Sequence, residues 1–133
     1  MLDAETAPGK PRIGPTIWWL GLAASGLVAA TLSLDAYVEG LPPVFEEIPH
    51  LDKTLHFALA GVLTFFLDGV LRRRMIRLGP VSVPLAAVLF LVPAAIEEFL
   101  QRFSVNRSSS VGDFAADAAG VAFFVWLSRR VGR

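Results

Sequence analysis

Ile96–Gly120, IEEFLQRFSVNRSSSVGDFAADAAG, is the stretch whose reading decides the fold. It carries Glu97, Glu98, Gln101, Arg102, Asn106, Arg107, Asp113 and Asp117 within twenty-one residues, at the meeting ends of two apolar runs. Between soluble helices it would be an ordinary polar loop. Here the apolar runs are too short to cross a bilayer without it. One extends only from Leu78 to Ile96, and the other has eleven residues between Asp117 and Arg129. Eleven helical residues span about 17 Å, against a hydrocarbon core of about 30 Å. Glu98, Asp113 and Asp117 are therefore expected at membrane depth or at its edge. Ionisable groups there are costly unless they pair or serve a site.

The whole composition agrees. Of 133 residues, 54% are hydrophobic and 18% charged, with a mean hydropathy of +0.58. A soluble domain would carry charge on about a quarter of its residues. The reading is an all-α membrane protein with four transmembrane helices: a disordered cytoplasmic tail over residues 1–15, then one four-helix domain over 16–133. There is no cysteine, which excludes disulfides and thiolate metal sites. Nothing in the charge pattern points to a nucleic-acid partner.

Four apolar runs can be followed outward from the quoted stretch. Thr16–Leu34 has no charge and opens on Trp18 and Trp19, placed as interfacial anchors. It is too long for the apolar core of a signal peptide, and no small-residue cleavage site follows. Asp35–Lys53 is a polar connection, broken by Pro42, Pro43 and Pro49. The second run is Leu55–Leu71, opening with His56 and containing Asp68. The third is Leu78–Leu100, with Pro84 in its first turn and a kink expected at Pro93. The fourth is Asp113–Val131, with Trp126 near its basic end.

Orientation follows from Lys and Arg. With four spans, the N-terminal tail, the middle loop (Arg72, Arg73, Arg74, Arg77) and the C-terminal tail share a side, and hold nine of the twelve basic residues. Both termini are thus expected in the cytoplasm, with the polar connections facing outward. The polar cluster then lies on the extracytoplasmic side of the membrane.

On that side the helical spacing is informative. Asp52 and His56 are four residues apart, as are Glu98 and Arg102, with Gln101 between. Asp113, Asp117 and Gly120 follow at i, i+4 and i+7. Each stripe is polar on one face of an otherwise apolar helix. Three such faces at one leaflet most simply converge on a common wet pocket, and Gly61 and Gly120 allow the close approach.

Asp52-Lys53-x-x-His56-Phe57, Glu98-x-x-Gln101, Arg107, Asp113 and Gly120 together resemble the VanZ family of small bacterial membrane proteins, over residues 48–124. The family is named for a member that raises resistance to the glycopeptide teicoplanin. The resemblance implies a four-helix protein of the cell envelope and supplies no agreed reaction. Where the family carries an asparagine four residues after the aspartate, this chain has Asp117, a second carboxylate.

Each site residue has a bland reading beside the sharp one. His56 is a general base or a metal ligand, or else a helix-start histidine bonded to Asp52 or a loop carbonyl. Glu98 with Arg102 or Arg107 is a site pair or a structural lock; truncating one member of a buried pair costs about 3–5 kcal/mol. Glu97, on a neighbouring face, is expected to be solvated. Asp113 caps the fourth helix. Asp117, one turn deeper, is too far in to cap and needs a cationic partner or a proton of its own; it is the strongest candidate for a functional carboxylate. Asp68 is expected to pair with Arg72 at i+4, and the arginine cluster sets topology first and contacts anionic lipid second. Asn106-Arg107-Ser108 is a glycosylation sequon without meaning in a bacterium. No cofactor or metal is expected, since no ligand spacing such as H-E-x-x-H is present and Lys53 and Arg107 compete for the carboxylates.

The leading function is recognition of an anionic or zwitterionic head group, of a membrane lipid or a lipid-linked envelope precursor. Lys53, Glu98, Gln101, Arg102 and Arg107 form the binding set; Asp52, Asp68, Arg72 and Gly120 are structural. The alternative is a membrane hydrolase or transferase using His56, Asp113 and Asp117. A third reading is an assembly subunit docked to a partner protein in a larger envelope complex.

Overall fold

The structure, a computed structural model, describes residues 13–40, 42–103 and 110–132. It has four long helices: α1 (Pro15–Val38), α3 (Leu51–Val70), α4 (Leu85–Gln101) and α5 (Val111–Val131). A single-turn α2 (Val44–Glu47) follows α1, and a hairpin of β1 (Met75–Leu78) and β2 (Val81–Pro84) precedes α4. α1, α3 and α5 are each long and apolar enough to cross a membrane. Much of their outer surface is apolar side chain, including Trp19, Leu20, Leu27 and Leu34 of α1. A surface of that kind suits lipid rather than water.

The helices overrun the apolar runs that announce them. Pro15 starts α1 at a first-turn position, where a missing N–H costs nothing. The helix continues through Asp35, so the polar connection is shorter than its composition indicated. Likewise Asp52 and Lys53 belong to the first turn of α3 rather than to the loop.

The exit from α3 determines what comes next. The Arg72 N–H bonds to the Gly69 carbonyl and the Arg73 N–H to the Asp68 carbonyl, which is a Schellman motif. Both arginines are left-handed, at φ 52° and 58°, where glycine is the usual choice. Chain direction therefore reverses at once, into the hairpin.

Here the third run departs from expectation. Leu78–Leu100 is not one helix: Leu78 ends β1, Gly79-Pro80 forms the turn, and α4 begins only at Leu85. Gly79 has φ +63°, and the ring of Pro80 holds φ near −65°. Those signs fit a two-residue hairpin turn of type II′. Leu78 pairs with Val81 and Met75 with Pro84. Pro84 is the cap residue of α4, not part of its first turn, and Pro93 lies inside the helix without ending it. At 17 residues, α4 spans about 26 Å.

α3 and α5 pack together most extensively, and they run parallel. Lys53 meets Asp113, His56 meets Asp117, and Asp68 meets Ser128 and Arg129, a nearly constant offset of 60 or 61 residues. α1 and α4 run the other way. Trp18 at the start of α1 packs on Phe65 and Phe66 near the end of α3. Glu98 near the end of α4 meets Ser110 at the start of α5. The four long helices thus alternate in direction, as a chain threading a bilayer would.

The closest approach is at Gly120. A Cβ built there would lie 2.1 Å from the backbone oxygen of Phe57, so only glycine fits without moving α5. Above and below, rings fill the seam: Phe124 lies against Gly61, and Ala60, Val121 and Val125 form the buried core. Gly120→Ala is expected to destabilise the detergent-solubilised protein by about 1–3 kcal/mol, seen as a lower midpoint in thermal unfolding. Gly26→Ala, where a Cβ meets nothing within 4 Å, is expected to be neutral or stabilising. Equal midpoints for the two variants would contradict the close contact.

Candidate functional site

At the end of the bundle where α3 and α5 begin, five of the sequence-predicted residues come together. Lys53 Nζ lies 3.2 Å from Asp52 Oδ2 and 3.4 Å from Asp113 Oδ1. One turn deeper, His56 Nδ1 lies 3.0 Å from Asp117 Oδ1. The parallel packing explains both contacts: two stripes spaced by one helical turn, held in register by Gly120, face each other across the seam. Lys53 is partly exposed, while the Asp113 and Asp117 side chains are only 13% exposed. His56 is thus bonded to the carboxylate across the seam, rather than to Asp52 on its own helix.

Ser110, not Asp113, is the cap residue of α5, and Asp113 lies third in the first turn. There it still meets the positive end of the helix dipole, but its Oδ1 faces Lys53. The backbone N–H of Ser110 donates to Glu98 Oε1. A carboxylate from α4 thereby satisfies a donor that α5 leaves open, as the acidic residue of a capping box does within one helix.

Glu98 does not pair with Arg102: the Arg102 guanidinium lies over the Phe99 ring at 5.6 Å. Arg107 falls outside the described residues, as do Asn106 and Ser108. Gln101 is buried, and its Nε2 donates to Glu97 Oε1 at 3.4 Å. Nor is Glu97 merely solvated. It also accepts from Ser33 Oγ at 3.4 Å and Tyr37 OH at 3.5 Å, which ties α4 to α1. Ser33 and Tyr37 stand four residues apart on α1, and that spacing was the available signal.

Asp68 and Arg72 lie at the opposite end, and they do not pair. The Asp68 side chain is fully buried; Ser128 Oγ donates to its Oδ2, and Arg129 Nη2 lies 3.0 Å from its Oδ1. Arg129 further reaches Met75 Sδ at 3.0 Å and the Arg73 carbonyl at 3.4 Å. Arg73 Nε donates to the Ser128 carbonyl at 3.3 Å, and its guanidinium lies 5.6 Å from the Trp18 ring. The Schellman turn prevents the i+4 pairing: it swings Arg72 away from the face that carries Asp68. Ser128 and Arg129 were legible only as a small residue and a topology marker.

The two clusters differ in chemistry. The second is a closed lock, in which a buried carboxylate is met by a hydroxyl and a guanidinium. The first joins three carboxylates to one ammonium and one imidazole. It can hold a proton on His56 or offer carboxylate oxygens to a cationic group. Among the described residues no group of three or more His, Asp or Glu is arranged to hold a metal ion. Comparison of the chain with family models, with curated proteins and with solved structures finds no match in any of the three.

Asp68→Ala is expected to cost about 3–5 kcal/mol, because it leaves Arg129 uncompensated. Asp68→Ala combined with Arg129→Met should recover part of that loss. A double-mutant cycle of thermal unfolding in detergent checks it, and strictly additive losses would show that the pair is not coupled.

Proposed function

We propose that this chain is a four-span, VanZ-like protein of the bacterial inner membrane, and that its α3–α5 polar cluster recognises the head group of a lipid or lipid-linked envelope precursor from the extracytoplasmic side. The observation that carries the reading is the convergence of Lys53, His56, Asp113 and Asp117 into one cluster near the starts of two helices long and apolar enough to cross a membrane. Apolar surroundings make such a cluster expensive, and function is the usual reason that one is retained. Between the anionic and zwitterionic classes, the charges favour a zwitterionic head group. Lys53 is already shared between two carboxylates, whereas among the described residues the carboxylates outnumber the cations and suit an ammonium. Arg107 would supply a cation for the phosphate. The resemblance to the VanZ family links this recognition to glycopeptide resistance.

Two measurements test it. Purified full chain titrated with phosphatidylethanolamine, read by native mass spectrometry, should bind it in preference to phosphatidylglycerol at this site. Folded His56→Ala and Asp117→Asn variants should weaken that binding about tenfold or more, the loss of a charge-assisted contact; unchanged affinity in both would overturn the reading. Sidedness is accessible because the chain has no cysteine of its own. Pro42→Cys should react with an impermeant maleimide in intact cells, and Ser82→Cys only after lysis.

The contact between His56 Nδ1 and Asp117 Oδ1 at 3.0 Å supports a second reading, a hydrolase or transferase acting on the same head group. A carboxylate orienting an imidazole is the arrangement that a general base requires. Head-group release from lipid vesicles, abolished in His56→Ala, would favour it over binding alone.

A further inference from the structure

The β1–β2 hairpin and the facing sides of α4 and α5 border an open groove that neither polar cluster uses. The strand register places Ile76, Leu78, Val81 and Val83 on one face of the hairpin, and Arg77 and Ser82 on the other. Leu78 and Val83 line the groove with Ala87 and Leu91 of α4 and Ala122 and Val125 of α5; its volume is about 470 Å³. Its wall extends along α4 from Pro84 to Val92, about 12 Å of helix. The lining is aliphatic, and its long axis follows the helices.

Along α5 the groove wall leads toward cationic residues. Ala122, Trp126 and Arg130 stand four residues apart on α5, all exposed. The row passes from groove wall to an indole to a guanidinium, with Arg130 stacked 5.0 Å from the Trp126 ring. Arg77, exposed on the opposite face of the hairpin, flanks the same end. Arg73 and Arg129 at this end are engaged with Ser128 and Asp68, whereas Arg77 and Arg130 face outward.

From this we infer that the groove is a site for an anionic phospholipid of the leaflet at the arginine end. One acyl chain lies along α4 and α5 beneath the hairpin, and the phosphate meets Arg130, with Arg77 adding positive charge at the same end. The order of chemistry along the Ala122–Trp126–Arg130 row is that of the bilayer itself: hydrocarbon, aromatic interface, charged head group. The inference rests on the membrane reading of the chain but not on the α3–α5 cluster, which lies at the other end.

The test uses the full chain reconstituted in phosphatidylcholine vesicles that contain a minor fraction of acyl-brominated lipid, either phosphatidylglycerol or phosphatidylcholine. Bromine quenches nearby indoles, and the signal lost on Trp126→Phe isolates the contribution of Trp126. Brominated phosphatidylglycerol should be preferred at Trp126 by roughly five-fold per engaged guanidinium. That preference should fall toward one in Arg77→Gln/Arg130→Gln and in high salt. Ala122→Leu, which fills the groove, should reduce quenching by both lipids. Equal quenching by the two lipids, or a preference unchanged by the double variant, overturns the site. So does the absence of quenching by either, the result expected if a second copy or another protein covers the groove. The salt series on the unmodified chain and Arg77→Gln alone decide the question should the double variant fail to fold. Intact His56→Ala and Asp117→Asn chains should keep the preference, which separates this site from the head-group cluster.

Discussion

The backbone contact between Gly120 and Phe57 is the constraint on which the rest of the molecule depends. In lipid no hydrophobic effect drives helices together, so association comes from close packing and from polar groups that meet across the seam. A Cβ at position 120 would strike the Phe57 carbonyl and push the two helices apart. The polar contacts on both sides of that point are short only because the backbones touch. His56 reaches Asp117 one turn toward one end, and Asp68 reaches Ser128 and Arg129 farther toward the other.

Along α3, His56 and Asp68 are twelve residues apart, or about 18 Å. The bundle therefore carries two polar locks separated by an apolar middle of Ala60, Val121 and Val125. At the arginine end Asp68 is sealed from solvent and met by the Ser128 hydroxyl and Arg129 Nη2, while Arg129 Nε is buried without a partner among the described residues. This lock fixes where α3 stops and where the hairpin begins. The other lock has more carboxylates than cations among the described residues. A structural role needs balance; an excess of one sign is what a site retains for a ligand. That asymmetry is why the head-group reading is attached to His56 and Asp117 and not to Asp68.

The remaining helices are positioned by what these two require. α4 is short, and its carboxylates serve its neighbours: Glu98 takes the N–H that opens α5, and Glu97 takes donors from α1. Two strands alone are marginal in water; this hairpin is tied to the bundle where the Leu85 N–H donates to the Arg74 carbonyl.

The sequence by itself determined the helical class, the apolar runs, the segregation of arginines to one end and the identity of the ionisable residues near the helix ends. These are legible because the bilayer acts on each segment separately: hydropathy and charge need no knowledge of neighbours. Pairing is another matter. The sequence offered Asp68 to Arg72 and Glu98 to Arg102 because local spacing is all it displays, and the structure gave Asp68 to Arg129 and Glu98 to the Ser110 amide. It likewise read Leu78–Leu100 as one span, since apolar residues in a strand and a helix look alike over a few positions, and only the reversal after Arg73 separates them. Which carboxylate meets which cation depends on the parallel register of α3 and α5. That register is set by a glycine against a carbonyl sixty-three residues away, a contact that no local pattern encodes.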